Sequence, residues 1–253
     1  MKKYPILVCI PHSSTFVPAE LRHLMLLSDF EIKKQSDLYT DKIFDVPGAY
    51  VIKANISRLV TDLNRAPDHI EMEYQLANDG VVISVTEDAK QIYETPPTFD
   101  IIFERVQKYH DMFHKEINEL SPEMKFLIDC HSLRNIGPVT KKDANKKRAD
   151  IVLGNRHFTT CTREMTNKIM DFFQKKGFSV KVNDPYEGRY VLGYHCSRRG
   201  LPGIQIEINR KLYMNEKNLK PYKKKIKALN EAVQELVEMI AGEIERTEKL
   251  KQL

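Results

Sequence analysis

Two short apolar runs that each end in His-Ser constrain this chain more than any other feature. Ile6-Leu7-Val8-Cys9-Ile10 leads into Pro11-His12-Ser13-Ser14, and Lys125-Phe126-Leu127-Ile128-Asp129-Cys130 leads into His131-Ser132. Each run reads as a buried strand with its histidine just past the C-terminal end. Open α/β sheets bind ligands outside the carboxyl ends of their strands. Two imidazoles in that position form a candidate pair of metal ligands.

The remaining pattern fits the same kind of sheet. Strand-like runs lie near 5–10, 49–53, 80–85, 124–130, 150–154, 178–182 and 203–208, with helical periodicity near 29–45, 98–120, 161–176 and 217–250. In 98–120 the apolar stripe is Ile102, Val106, Tyr109, Phe113, Ile117 and Leu120, and Pro96-Pro97 stands just ahead of it. The C-terminal helix, about 217–250, presents Ile226, Leu229, Val233, Leu236, Ile240 and Ile244 along one face. Strands alternating with helices predict an α/β fold: one domain over 1–253, with a mostly parallel or mixed sheet covered by helices on both faces. Segments 55–79 and 132–149 read as long loops, which in compact domains are often functional.

The 253 residues are enough for a full core, and no apolar stretch nears the roughly 18–20 residues of a membrane span. Cys9, Cys130, Cys161 and Cys196 show no CxxC pairing, and the chain enters its first strand at once, so a reducing, cytoplasmic setting is expected. The net charge of +5 is mild. Lys141, Lys142, Lys146, Lys147 and Arg148 form one basic run and Lys223, Lys224, Lys225 and Lys227 another. Such runs are usually solvated surface. Neither is a basic stripe with interleaved aromatics, which speaks against nucleic acid. The balance suits a small anionic substrate.

Asp129 precedes His131 by two residues, so both point to the same side of a strand. That places a carboxylate where it can fix the imidazole tautomer from behind the ligand. Zinc wants about three protein ligands and one open position. Spacing supplies no third ligand: Asp37 lies in a helical-looking stretch and reads as a surface acid. A competing pair is His110 and His114, one helical turn apart, although aspartate stands where the protease motif has glutamate. Along Gly203–Asn209 the alternation sets Gln205, Glu207 and Asn209 on one face and three isoleucines on the other. A glutamate inside such a strand is costly unless it is paired or used, for example as a proton carrier at a metal site. Arg58, Asn64 and Arg65, close together in one loop, are candidates for holding carboxylates or an oxyanion.

Taken in order, Pro11-His12-Ser13, Ser36-Asp37-Leu38-Tyr39, Ser57 through Arg65, Asp129-Cys130-His131-Ser132 and Gln205 through Met214 resemble the N-formylglutamate amidohydrolase family. The resemblance implies a phosphorylase/hydrolase-like α/β fold related to the zinc carboxypeptidases (zinc exopeptidase-like). It also implies that Asp37 joins His12 and His131 on one zinc ion, and that Glu207 is the general base. Thr15 stands where the carboxypeptidase motif has its glutamate, and Tyr186 through Cys196 matches the family's glycine-rich segment only loosely.

The leading expectation is therefore a zinc-dependent amidohydrolase acting on an acidic N-acyl amino acid, N-formyl-L-glutamate above all. Arg58, Asn64 and Arg65 face the substrate, with Arg189 and Tyr213 as further pocket residues. A zinc peptidase or amidase on a peptide or cell-wall fragment is the alternative. A catalytically silent binder of acidic ligands is a second.

Overall fold

The computed structural model describes residues 3–70 and 79–251, so part of the long 55–79 loop lies outside the described residues. In chain order the elements are β1 (Ile6–Ile10), α1 (Ala19–Arg22), α2 (Asp29–Gln35), α3 (Thr40–Ile43), β2 (Tyr50–Lys53), α4 (Phe99–Arg105), α5 (Asp111–Leu120), β3 (Phe126–Leu133), β4 (Ile151–Gly154), α6 (Arg163–Lys175), β5 (Val180–Val182), β6 (Gly203–Asn209) and α7 (Lys223–Lys251). The strands form one six-stranded sheet in the order β2-β1-β3-β6-β4-β5. The first four are mutually parallel, β4 runs antiparallel to β6, and β5 is parallel to β4. The sheet is thus mixed, and helices cover both faces.

Strand alternation assigns the two faces different work. Ile6, Val8, Ile10, Ile128, Ile204 and Ile206 point into the larger core. There they meet Ile169 and Phe173 of α6 and the Ile226, Leu229, Val233, Leu236 and Ile240 stripe of α7. Leu7, Cys9 and Leu127 point the other way, against Phe113 and Ile117 of α5 and against Val191 and Leu192. Asp129, His131, Gln205 and Glu207 share this second face by strand parity. β3 is longer than the apolar run predicts. His131 lies inside it, not beyond it, because Ser132 and Leu133 stay in register with Ile208 and Asn209.

Three sequence expectations need correction. Residues 80–85 form no strand, although Val81, Ile83 and Val85 are buried. Their backbone bonds to loop segments instead, with Val81 N donating to His69 O (2.8 Å) and Val81 O accepting from Asp62 N (2.6 Å). The predicted helix over 29–45 breaks at Ser36–Tyr39, where Tyr39 adopts a left-handed φ of 68°. Helix α7 starts at Lys223 rather than near 217, after a turn in which Asn215 Oδ1 accepts from Lys217 N. The 98–120 helix forms, but with a π turn at Val106–His110 between α4 and α5. Such wide turns often mark a site.

Among the described residues, no helix is long and apolar enough to cross a membrane. All four cysteines are buried and unpaired.

Candidate active site

The helix break at Ser36–Tyr39 builds the first part of the site. Asp37 N donates to His12 O (2.8 Å), and Ser36 Oγ donates to Ser14 O (3.0 Å). These bonds tie the loop after β1 to the gap between α2 and α3 and turn the Asp37 side chain inward. Its Oδ1 accepts from Ser132 Oγ (3.0 Å) and Arg210 Nη2 (2.9 Å). Its Oδ2 faces His131 Nδ1 at 3.2 Å and His12 Nδ1 at 3.7 Å. Burial alone would raise the Asp37 pKa. The two histidines and Arg210 outweigh it and hold the carboxylate well below its usual range.

Each histidine is fixed from behind. His12 Nε2 lies 2.7 Å from Asp62 Oδ1, and His131 Nε2 lies 2.9 Å from Asp129 Oδ1. With Nε2 against a carboxylate, each ring turns its Nδ1 toward Asp37; burial would lower the His131 pKa, but Asp129 and Asp37 raise it well above the ordinary imidazole value. His12 Nδ1 is buried and has no hydrogen-bond partner. Two imidazole nitrogens and a carboxylate oxygen therefore converge, with ligand atoms of the three residues within 4.8 Å of one another. Such a convergence of nitrogen and oxygen donors suits a divalent ion. Tetrahedral zinc, with bonds near 2.0–2.1 Å, spaces its ligand atoms about 3.4 Å apart. The donor set fits a divalent ion, and the carboxylates behind the imidazoles are the usual support for one. Asp62 is itself held well below its ordinary pKa. Burial opposes this, but Arg58, His12 and Arg65 prevail.

Glu207 completes the polar face. Its partner in the β3–β6 register is His131, and Gln205 is the partner of Asp129. Gln205 Nε2 donates to Glu207 Oε1 (2.9 Å), while Oε2 is buried without a partner. Burial first, then the charges of Asp37 and Asp129, push the Glu207 carboxyl up to about 7, against the opposite pull of His131 and Arg148. A carboxyl with that affinity takes and releases a proton near neutrality. A cavity of about 460 Å³ opens over these groups, and its lining includes His12, Asp37, His131 and Glu207.

The structure gives the loop residues more specific places than the sequence does. Arg58 Nη2 is committed to Asp62 Oδ2 (2.5 Å), so Arg58 acts on His12 through Asp62. Asn64 uses both ends of its amide: Nδ2 reaches Asp129 Oδ2 (2.9 Å) and Oδ1 accepts from Val191 N (2.8 Å). It positions Asp129 and keeps no amide group spare for a substrate. Arg65, which also lines the cavity, donates through Nε to Asp79 (2.5 Å) and through Nη1 to Asn64 O (3.0 Å). Arg189 stands half-exposed at the cavity wall, 3.7 Å from Asp79. Tyr213 is fully buried against Tyr39 and does not line the cavity. The expectation that it contacts substrate is not met.

The competing pair is differently employed. His114 Nε2 donates to Leu63 O (2.9 Å) and His110 Nε2 to Arg65 O (2.9 Å). His114 Nδ1 must then accept from His195 Nε2 (2.8 Å). Burial first, then neighbouring histidines, keep His114 neutral, and burial with Arg199 takes His195 down to about 3. This histidine layer, placed by the π turn, holds the backbone on either side of Asn64.

Sequence reasoning missed Asp62, Arg210, Ser132 and Gln205. Gln205 carried a usable signal, the same alternation that exposes Glu207. The basic run at 141–148 also divides: Lys146 and Lys147 are exposed as expected, but Arg148 is buried and Lys141 half-buried, both lining the cavity.

The family model for N-formylglutamate amidohydrolase matches residues 4–214. The chain belongs to the N-formylglutamate amidohydrolase family. A Pseudomonas putida protein named N-formylglutamate deformylase is 22% identical over 227 residues, covering 85% of this chain and 83% of that protein. The crystal structure of N-formylglutamate amidohydrolase from Ralstonia eutropha JMP134 superposes with a TM-score of 0.85 at 25% identity, covering 98% of this chain and 96% of the other. A gene product of Agrobacterium tumefaciens shares the fold, with a TM-score of 0.72 at 20% identity over 96% and 93% of the two chains.

Proposed function

We propose that this protein hydrolyses the amide bond of an acidic N-acyl amino acid, N-formyl-L-glutamate giving formate and L-glutamate, with one zinc ion per chain. The observation that carries this reading is the convergence of His12 Nδ1, His131 Nδ1 and Asp37 Oδ2, with a carboxylate behind each imidazole. Family membership and the activities named for the P. putida and R. eutropha relatives support the substrate.

A divalent ion held by His12, Asp37 and His131 would polarise the formyl oxygen and lower the pKa of a water molecule. Glu207 takes the proton from that water as its oxygen bonds to the formyl carbon. It then passes the proton to the nitrogen as the C–N bond breaks, so the amine leaves neutral. Asp62 and Asp129 hold the two imidazoles in the tautomer that presents Nδ1. Arg65 and Arg189, both lining the cavity, are the groups to hold the α-carboxylate of the substrate.

The test is a panel of N-formyl and N-acetyl amino acids with zinc-reconstituted protein. Formate release from N-formyl-L-glutamate in preference to the N-acetyl and neutral substrates is expected. Stoichiometric zinc with no turnover of any member would leave the silent binder as the better account. Turnover of peptides alone would favour the peptidase.

A further inference from the structure

Lys141 belongs to a basic run that the sequence assigns to solvated surface, yet its side chain lines the cavity. The loop that carries it is held on both sides. Thr140 Oγ1 donates to Glu87 O (3.1 Å), Lys141 N to Pro138 O (3.0 Å) and Ala144 N to Lys141 O (3.0 Å). A little further on, Arg148 grips Asp143 through Nε (2.6 Å) and Nη2 (2.8 Å). The ammonium is therefore presented from a fixed backbone.

The arginines around it are already paired. Arg58 has Asp62, Arg65 has Asp79, Arg134 has Asp88, Arg148 has Asp143 and Arg210 has Asp37. Lys141 forms no ion pair among the described residues. Burial, followed by the charges of Arg58 and Arg65, holds its ammonium below the usual lysine pKa, against Glu87 and Asp79. An ammonium in that condition gains when an anion enters beside it. Lys141 shares the cavity lining with His12, Asp37, His131 and Glu207 but is not one of the converging ligand atoms, so it is free to meet another part of the substrate.

We propose that Lys141 is the specificity-determining residue for the side-chain carboxylate of an acidic N-acyl amino acid, the end remote from the scissile amide. The proposal rests on the amidohydrolase reading given above. A lysine suits this place because its three donors rotate freely around a point charge and so accept a carboxylate on a flexible chain. The forks of Arg58, Arg134, Arg148 and Arg210, by contrast, stay locked to their own carboxylates.

The experiment compares kcat/KM for N-formyl-L-glutamate and N-formyl-L-glutamine in the wild type, Lys141→Met and Lys141→Arg. Loss of a charge-assisted hydrogen bond lowers the acidic-over-neutral ratio about tenfold or more in Lys141→Met, mainly through KM. Lys141→Arg restores most of the ratio. A merely structural lysine would depress both substrates together, and an unchanged ratio overturns the proposal. If the wild type hydrolyses no N-formyl amino acid, the amidohydrolase reading falls separately. Calorimetric titration with glutarate then decides the role of Lys141. Tighter binding by the wild type than by Lys141→Met upholds it, and equal affinities overturn it.

Discussion

Glu207 lies directly across the β3–β6 ladder from His131, on the same face of the sheet. Strand register, not loop conformation, sets the distance between the candidate proton carrier and one candidate metal ligand. Glu207→Gln preserves the shape and the hydrogen-bonding capacity but cannot carry the proton. We expect it to bind metal normally and to lose at least about 10²-fold in kcat. Near-normal turnover would remove Glu207 from the mechanism.

The same carboxyl sets a pH dependence. As a base it works only when ionised, so kcat/KM falls on the acid side. A bound cation pulls its pKa down from the value of about 7 that burial imposes, so the acid limb lies between the ordinary carboxylate range and about 7. Glu207→Gln should lose that limb in whatever activity remains. A wild-type profile that stays flat from pH 4 to 8 would contradict this assignment.

Stability of the metal-free protein follows with the opposite preference. The folded-state pKa of Glu207 is raised, so its contribution is fully present below the unfolded value of 4.5 and lost as pH rises through about 7. Ionising it in the fold costs about 3 kcal/mol. In EDTA, Glu207→Gln should therefore be more stable than the wild type at pH 8 but not at pH 4. Urea titrations at the two pH values check the crossover.

Metal content should track the two imidazoles. We expect one divalent ion per chain by elemental analysis, absent from His12→Ala and from His131→Ala. Asp62→Asn and Asp129→Asn should keep the fold and weaken metal affinity about 10–100-fold. Full metal in both histidine variants, with loss in His110→Ala, would move the site to the helix pair.

Arg58 acts through Asp62 and His12. Arg58→Ala should weaken metal binding yet leave the acidic-over-neutral substrate ratio as it is in the wild type. A collapsed ratio with normal metal affinity would instead make Arg58 a direct substrate contact.

His114→Phe removes the donor that satisfies Leu63 O. One buried carbonyl without a partner costs about 1–3 kcal/mol. The melting point should drop accordingly, and kcat should fall as Asn64 loses its fixed position under Asp129. Unaltered stability would show that the histidine layer does not hold this loop.

How far the site is legible in sequence differs residue by residue. His12 and His131 announce themselves because each closes a continuous apolar run, and Glu207 because the alternation of its strand sets it opposite three isoleucines. Asp37 does not, since the helical pattern of 29–45 runs straight through it. Its helix is broken by bonds to His12 O and Ser14 O, contacts to the loop after β1 that no local pattern signals. Asp62 and Lys141 sit on irregular backbone with no period to violate. The valines at 81, 82 and 85 mislead in the other direction, because apolar burial in a loop looks like a strand until its hydrogen bonds are traced.

The family match stops at residue 214, but the scaffold of the site does not. Tyr39, which ends the turn carrying Asp37, reaches forward with its hydroxyl to Leu219 O (2.9 Å). Asn230 on α7 donates to Ile43 O (3.1 Å) and Asp45 O (2.8 Å), closing the end of α3. The recognisable portion of the chain thus holds every residue named in the chemistry, while a brace for one of them lies past its border. A protein trimmed to that border would be complete on paper and unmoored at Asp37.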